Sequence, residues 1–291
     1  MTGAATTTAA AAITTGTNAD VKATILTDNR SSNPAQFPTE HGLSILLDTG
    51  SLLVLLDTGS SDLFVRNART LGLNLADVDD VFLSHGHNDH TGGLRAFLEI
   101  NDKAKVIVSS EAVGKTFYST RGNLHSITTT WPLEAMEGRT IRVDGNLELN
   151  DGIHIIADIP QAFPIPEGNR NLLVGDNQEV FQPDPFRHEI AFYVDGILFT
   201  GCAHHGLENI LAACPWPVKT VIGGFHLLDS KDGNIYESAD DLEAMGNRLL
   251  ARYPGTTFYT GHCTGDYAFN SLKGVLGDHL QFFSAGLQIL L

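Results

Sequence analysis

The segment LSHGHNDHTGG, residues 83–93, places three histidines and an aspartate within six positions, at His85, His87, Asp89 and His90. The segment DVDDVFL before it, which ends in three apolar residues, predicts a short buried strand, and GGLRAFLEIN after it predicts a helix. Imidazole nitrogen and carboxylate oxygen are donors that zinc and similar divalent metals accept, and a loop between a strand and a helix lets them converge. The segment therefore predicts a metal site.

A second feature, LLDTGSLLVLLDTGSSD over residues 46–62, contains Asp-Thr-Gly-Ser twice, beginning at Asp48 and at Asp57. This motif resembles the loops of aspartic proteases, whose two catalytic carboxylates share a proton. A turn at Gly50 would instead make LSILLD and LLVLLD adjacent strands of a hairpin, with the two aspartates at opposite ends of the second strand. We therefore predict that Asp48 is a turn residue and that the pair is not a catalytic dyad.

The charge of the chain limits its partners. The 291 residues include 34 acidic and 18 basic side chains, a formal charge of −16. This charge disfavours a nucleic acid or an anionic membrane surface as partner, so we expect a small-molecule substrate. The sequence leaves the oligomeric state open.

The cysteines and the N-terminal segment indicate the compartment. Only Cys202, Cys214 and Cys263 are present, and an odd, sparse set argues against a disulfide framework. Residues 1–20 are rich in Ala and Thr and lack the basic start and apolar run of a signal peptide. We expect a cytoplasmic protein whose residues 1–20 form a disordered tail.

Residues 21–291 predict a single domain of the α/β class. Strand and helix patterns alternate in the first half and return after residue 188, where EIAFYVDGILFTG predicts a hairpin around Asp195 and Gly196. Two such halves fit an αββα sandwich, in which two mixed β-sheets pack face to face with helices on the outer faces.

The intervening segment, residues 111–188, is rich in Pro and Gly. It is expected to be an irregular insertion that shapes the substrate pocket. Candidates to line an apolar pocket are Trp131, Phe163, Phe181 and Phe186. Candidates to bind an anionic group are Arg121, Arg170 and Arg187.

Three strand-like segments of the second half end in further metal-binding side chains. LFTGCAHHG carries Cys202, His204 and His205, VIGGFHL carries His226, and FYTGHCTG carries His262. Loops at one edge of a sheet can meet at one site, so these residues are candidates to complete the metal centre.

Together these segments resemble the metallo-β-lactamase fold superfamily, whose His-X-His-X-Asp-His motif is matched by HGHNDH. The run GCAHHG, GGFHL and TGHCTG, with EHGLSILLDTG, is similar to a branch of metal-dependent hydrolases that includes dihydropterin ribofuranosylaminobenzene phosphate synthase-like proteins. The resemblance covers nearly all of the chain after residue 20 and implies the fold and a metal centre, but no particular substrate.

The resemblance also implies the ligands. The first metal site would be formed by His85, His87 and His204, and the second by Asp89, His90 and His262.

Three further residues have roles that the resemblance implies or leaves open. Asp57, at the end of the upstream strand, would brace the metal loop. Many binuclear members have Asp in LFTGD where this chain has Cys202, whose thiolate can bind zinc but offers no carboxylate bridge. His205 is the alternative to His204, because one residue of register decides between them.

The leading functional hypothesis is a metal-dependent hydrolase that uses a zinc-bound hydroxide on a small ester, lactone, amide or phosphoester. Asp89 would orient the water and accept a proton, and His226 would protonate the leaving group, bind substrate or contact the metal. One or two zinc ions are expected, with iron or manganese as alternatives. Two other functions remain open: an iron-dependent oxidoreductase or other non-hydrolytic enzyme, and a metal-dependent binding protein without turnover.

Overall fold

The computed structural model describes residues 21–149, 152–175, 181–230 and 236–291. The tail expected over residues 1–20 lies outside the described residues. The elements up to residue 143 are β1 (Lys22–Thr27), β2 (Ser44–Asp48), β3 (Leu53–Leu56), α1 (Leu63–Thr70), β4 (Asp80–Leu83), α2 (Asn88–Thr91), α3 (Leu94–Ile100), β5 (Lys105–Ser109), β6 (Thr116–Ser119), β7 (His125–Ser126), α4 (Leu133–Met136) and β8 (Thr140–Val143).

The later elements complete the chain. They are β9 (Leu147–Glu148), β10 (His154–Ile156), β11 (Leu172–Gly175), β12 (Phe181–Pro183), β13 (Ala191–Val194), β14 (Ile197–Phe199), α5 (Leu207–Ala213), β15 (Thr220–Ile222), α6 (Ala239–Arg252), β16 (Thr257–Thr260), α7 (Asp266–Leu276), β17 (Leu280–Phe282) and β18 (Gln288–Leu290). Short 3-10 helices span Leu75–Asp77, Glu167–Asn171 and Gly277–His279. No helix among the described residues is long and apolar enough to cross a lipid bilayer.

Two seven-stranded mixed sheets form the body of the fold. The first has the strand order β18-β1-β2-β3-β4-β5-β8, and the second has the order β17-β16-β15-β14-β13-β10-β9. Strands β3, β4, β5 and β8 run parallel in the first sheet. Strands β14 to β17 run parallel in the second. The carboxyl ends of these parallel strands therefore share one edge of each sheet.

The core follows from the alternation of side chains along each strand. Ile45 and Leu47 of β2 belong to the cluster between the two sheets, whereas Leu46 belongs to the cluster beneath helices α1 and α3. Between the sheets, the rings of Phe82 and Phe192 lie 5.4 Å apart. Full burial of each such side chain stabilises the fold by about 1.5–3 kcal/mol. Helices α5, α6 and α7 cover the outer face of the second sheet, which confirms the predicted αββα sandwich.

The repeated Asp-Thr-Gly-Ser segment forms the predicted hairpin. Strands β2 and β3 are antiparallel, with Asp48 opposite Leu53. The carboxylate of Asp48 accepts a hydrogen bond from the backbone N–H of Gly50 at 2.8 Å, and Gly50 has a φ of 81°, which favours glycine. Asp57 follows the other end of β3, so the two aspartates do not form a dyad.

Segment 111–188 is not the irregular insertion that its composition predicted. Strand β8 extends the first sheet, β9 and β10 extend the second, and β12-β11-β6-β7 form a separate four-stranded sheet. These strands have only two to four residues, too few to show an alternating apolar pattern in the sequence.

Candidate metal centre

The metal-binding candidates lie where parallel strands of both sheets end. Asp57 follows β3, and the HGHNDH segment follows β4, with His87 in an extended conformation just before helix α2. Cys202 and His204 follow β14, His226 follows β15, and His262 follows β16. The two sheets thus bring residues more than 100 positions apart to one edge of the sandwich, as predicted for loops at strand ends.

The first predicted trio converges in the structure. Ring nitrogens of His85, His87 and His204 lie within 4.8 Å of one another. The Nε2 atom of each is buried and has no hydrogen-bond partner among the described residues. Nδ1 of His204 donates to the side-chain oxygen of Asn169 at 3.0 Å, which leaves a lone pair on Nε2. Because buried polar atoms normally have partners, three such nitrogens fit a divalent cation.

The second predicted trio also converges. Nε2 of His90 and Nε2 of His262 are 3.0 Å apart, and Oδ2 of Asp89 lies 3.7 Å from the first and 3.4 Å from the second. Nδ1 of His90 donates to Asp57 at 2.6 Å, and Nδ1 of His262 donates to Asn29 at 3.0 Å. Both Nε2 atoms then carry lone pairs that face each other. These lone pairs repel each other, and a cation between them would remove the repulsion.

Cys202 lies between the two trios. Its Sγ is 3.1 Å from Nε2 of His90. Cys202 belongs to three candidate ligand groups, with His85 and His90, with His204 and His226, and with His262 and Cys263. Sulfur therefore lies close to members of both trios. Cys263, assigned no metal role from the sequence, is part of the same cluster.

Asp57 holds two of the candidate ligands in orientation. It is fully buried, and its carboxylate accepts the N–H of Ser84 at 2.7 Å and the hydroxyl of Ser84 at 2.7 Å, besides Nδ1 of His90. Since the Ser84 hydroxyl hydrogen points to Asp57, Nδ1 of His85 donates to the Ser84 oxygen at 2.8 Å. This chain of bonds leaves Nε2 of both His85 and His90 free to bind a metal, the bracing expected of Asp57.

The structure also distinguishes His204 from His205. The ring of His204 lies 4.9 Å from that of His85 and 5.0 Å from that of His87. The ring of His205 instead pairs with Glu189, Nδ1 to Oε2 at 2.8 Å. Glu189 also accepts the backbone N–H groups of His204 and His205, so it fixes the direction of both side chains.

Asp184 and His188, to which the sequence assigned no role, support the loop that carries His85 and His87. Nδ1 of His188 accepts the N–H of Gly86 at 2.9 Å, and its Nε2 donates to Asp184 at 2.9 Å. Asp184 also lies 3.9 Å from Nε2 of His87. Burial opposes ionisation of Asp184, but His188 and His87 outweigh it and hold its pKa well below the usual value. A side chain at Gly86 would overlap the ring of Phe117, so this loop requires glycine.

Backbone strain concentrates at the site. Asp57, Ala203, His226 and His262 all have φ between 50° and 58°, although none is glycine. Such conformations are uncommon and persist where the surrounding structure holds them, often at functional sites. Each follows a strand of the parallel set, so the strained turn directs the chain into the centre.

The electrostatics of His85, His87, His204 and Asp89 match the protonation states that metal ligands need. Burial lowers the pKa of His85, His87 and His204 and keeps their imidazoles neutral. Burial opposes ionisation of Asp89, but the adjacent histidines outweigh it and hold the pKa of this carboxyl well below its ordinary value. Burial raises the pKa of the Cys202 thiol, so ionisation of this sulfur requires a positive charge nearby.

A cavity of about 450 Å³ opens above the centre, a volume suited to a small molecule. Its floor contains His87, Asp89, Cys202, His204 and His226. Both ring nitrogens of His226 are buried and lack hydrogen-bond partners among the described residues, and its ring lies 4.3 Å from that of His204.

The aromatic residues expected to line an apolar pocket do not line this cavity. They are Trp131, Phe163, Phe181 and Phe186. Trp131 packs against the outer core of the first sheet, and Phe186 stacks on the His204 ring at 4.5 Å. The prediction was wrong because these rings pack against other side chains instead of the cavity.

The fold and the site define the class of the protein. Residues 38–138 match the family model of the metallo-β-lactamase superfamily, so this part of the chain is similar to that superfamily. The resemblance predicted from the sequence is thereby confirmed.

Relatives within the superfamily match nearly the whole chain. The chain is 26% identical over 295 aligned residues to the 7,8-dihydropterin-6-methyl-4-(β-D-ribofuranosyl)-aminobenzene-5'-phosphate synthase of Methanocaldococcus jannaschii, covering 92% of this chain and 95% of the relative. It is 29% identical to the solved structure of Tm1679, a metal-dependent hydrolase of the β-lactamase superfamily, with a TM-score of 0.75 and coverage of 93% and 99%. A diphosphatase of the PhnP family shares the fold, at 14% identity and a TM-score of 0.53, with 92% and 97% covered.

Proposed function

We propose that the protein is a metal-dependent hydrolase that uses one or two zinc ions to cleave a small ester, lactone, amide or phosphoester. The observation that carries this proposal is the convergence of three Nε2 atoms without partners among the described residues, from His85, His87 and His204. His87 and His204 also line an open cavity. The match to the metallo-β-lactamase superfamily and the likeness to Tm1679 support a metal-dependent, hydrolase-like scaffold.

The ligand chemistry favours zinc. His85, His87 and His204 would hold one ion. The residues near the second position are Asp89, His90, Cys202 and His262. Imidazole and thiolate donors suit zinc better than manganese, which prefers oxygen. When bound, such an ion lowers the pKa of a coordinated water and polarises a carbonyl or phosphoryl oxygen.

Asp89 is placed to orient the attacking water by accepting a hydrogen bond from it. Its carboxylate is ionised and lies at the cavity floor. Nε2 of His41 is 3.2 Å from Oδ2 of Asp89. The side-chain amide of Asn29 donates to Nδ1 of His41, so Nε2 of His41 carries the proton and donates to the carboxylate. His41, to which the sequence assigned no role, thus positions Asp89.

His226 is suited to contact the leaving group. Its ring nitrogens have no partner among the described residues and lie at the cavity floor. With a proton on Nε2, His226 donates a hydrogen bond to an oxygen of the substrate. The strained backbone at this residue holds the ring beside His204.

One observation favours a second candidate, group transfer to an organic acceptor. The Methanocaldococcus jannaschii relative, similar over 92% of this chain, is named a synthase. The same centre would then activate one substrate for attack by another instead of by water. Product analysis with and without added nucleophiles separates the two reactions.

Elemental analysis of the purified protein tests the metal. We expect about one to two zinc ions per chain, and generic esters or phosphodiesters to be cleaved only while zinc is bound. Chelation should lower the thermal midpoint, since a ligand at 100 times its Kd stabilises the folded state by about 2.7 kcal/mol.

Substantial iron would favour the oxidoreductase. Bound zinc without turnover would favour a binding protein, and a chain that takes up no metal on titration would contradict the proposal.

Cobalt substitution tests the role of Cys202. A thiolate bound to Co²⁺ gives a charge-transfer absorption band in the near ultraviolet. We expect this band in the Co²⁺ form of the native protein, and we expect Cys202→Ser to abolish it.

Cys214→Ser is the matched control. The thiol of Cys214 donates a hydrogen bond to the carbonyl oxygen of Trp216, and Cys214 packs on the outer face of the second sheet, under helices α5 to α7. Cys263→Ser shows whether the second buried thiol contributes. A band that survives Cys202→Ser unchanged would exclude Cys202 as a ligand.

A further inference from the structure

The cavity above the candidate metal centre differs in charge from the rest of the chain. The chain carries a formal charge of −16, yet Asp89 is the only acidic side chain among the described residues that line the cavity. The carboxylate of Asp89 already lies beside His41 and His262. At the rim, the cavity is lined by Arg121 and His125. A basic rim without a carboxylate is suited to an anionic ligand.

Arg121 projects from a turn that the four-stranded sheet holds in place. Ser119, the last residue of β6, pairs with His125 of β7 and also with β11. Its hydroxyl accepts the N–H of Arg121 at 3.2 Å, and the N–H of Thr120 donates to the carbonyl of Asn171 at 2.9 Å. Within the described part of the chain Arg121 forms no ion pair, so its fork of N–H donors is available to a ligand.

The other arginines considered from the sequence are less suited to this role. The guanidinium of Arg170 lies 4.9 Å above the ring of Tyr236 and pairs with Glu167 at 3.7 Å. Arg187 does not line the cavity. Nδ1 of His125 donates to the carbonyl of Asn123 at 2.7 Å, which leaves a lone pair and no donor on Nε2, so the donors for an anion come from Arg121.

We propose that the substrate carries a second anionic group, a carboxylate or a phosphate, remote from the bond that reacts, and that Arg121 binds this group at the rim. The metal centre at the floor takes the reacting group, and a cavity of about 450 Å³ accommodates a small molecule that reaches both. The inference rests on the proposed function, since it assumes that the reacting group lies at the metal centre.

Calorimetric titration of the zinc-loaded protein with three linear hydroxamates tests this inference. The hydroxamate end binds zinc, and the other end is a carboxamide, a carboxylate or a phosphonate on a chain of equal length. We expect an anionic end to improve the affinity about tenfold over the carboxamide. The carboxylate and phosphonate probes together show which anion is preferred.

Variants of the arginine identify the residue responsible. Arg121→Gln should remove the advantage of the anionic probes and leave binding of the carboxamide probe unchanged within about twofold. Arg121→Lys should retain part of the advantage, because it keeps the charge without the planar fork. Arg95→Gln removes the same charge from an exposed position on helix α3, outside the cavity lining, and should behave like the native protein.

The outcomes separate the two proposals. Equal affinity for all three probes in the native protein, or an anionic preference that survives Arg121→Gln, overturns the role of Arg121 and leaves the metal centre in place. If no probe binds although elemental analysis shows zinc, the metal centre does not bind the reacting group of a substrate. The proposed hydrolase function and the proposed role of Arg121 are then both wrong.

Discussion

Replacing His87 with alanine is expected to remove most of the bound metal and to lower hydrolysis at least about 100-fold. Nε2 of His87 is one of three buried, partnerless nitrogens at the first position. Loss of a residue that merely orients a ligand costs about 10–100-fold in metal affinity or activity, so loss of a ligand should cost at least the upper end of that range.

The fold should survive this substitution. His87 contacts the rings of Phe117 and His188, but its side chain contributes no hydrogen bond that holds a strand in place. The primary measurement is the number of metal ions per chain after dialysis in buffered zinc. The second is kcat/KM on any generic ester or phosphodiester that the native protein cleaves. A far-ultraviolet spectrum like that of the native protein would show that the loss is local.

His154→Ala is a matched control. This imidazole is half-buried and stacks on Trp216 at 3.8 Å, on strand β10 and outside the candidate ligand groups described above. It should keep its full metal content. Full stoichiometry in His87→Ala, or equal losses in both variants, would overturn the assignment of the first position.

The architecture could be predicted from the sequence because its longer strands have a recognisable local apolar pattern. LSILLD and LLVLLD are apolar runs on either side of Gly50, so the hairpin could be predicted from turn chemistry alone. The six clustered positions from His85 to His90 likewise lie in one short segment, between β4 and the end of α2. Strands of two or three residues such as β7 and β9 carry no such pattern, and their place in the fold depends on partners elsewhere in the chain.

The supporting residues of the site could not be predicted for the same reason. Gly86 donates to His188 across 102 positions, and His262 donates to Asn29 across 233. Nothing in the local sequence around Asn29 or His188 shows a ligand pattern, so only the folded chain reveals them. The role of Asp57 could be predicted from the family resemblance, whereas its hydrogen bonds with Ser84 are seen only in the folded chain.

Asp57→Ala is expected to destabilise the protein by about 3–5 kcal/mol and to weaken metal binding about 10–100-fold. The substitution leaves the backbone N–H and hydroxyl of Ser84 and Nδ1 of His90 without their acceptor, all in a fully buried position. It also places alanine at a φ of 58°, where a non-glycine residue is strained. Chemical denaturation measures the first effect, and zinc competition with a chelator measures the second.

Asp57→Asn separates these causes, because asparagine tolerates this φ and has nearly the same shape. One side-chain oxygen can still accept a hydrogen bond, but the amide nitrogen cannot accept from Ser84 or His90. We therefore expect Asp57→Asn to weaken zinc binding nearly as much as Asp57→Ala while costing less stability. Equal losses of stability would mean that the hydrogen bonds, and not the strained backbone, dominate the effect of alanine.

The chain supplies its own control for both variants, since Asp48 stands in an identical Asp-Thr-Gly-Ser tetrapeptide. Its carboxylate makes one hydrogen bond, to Gly50 in the hairpin turn, so Asp48→Ala should cost at most about 1 kcal/mol. Metal content should not change, because Asp48 lies at the end of the hairpin opposite Asp57. If Asp48→Ala lowered zinc affinity as Asp57→Ala does, the bracing of His85 and His90 by Asp57 would not explain the loss.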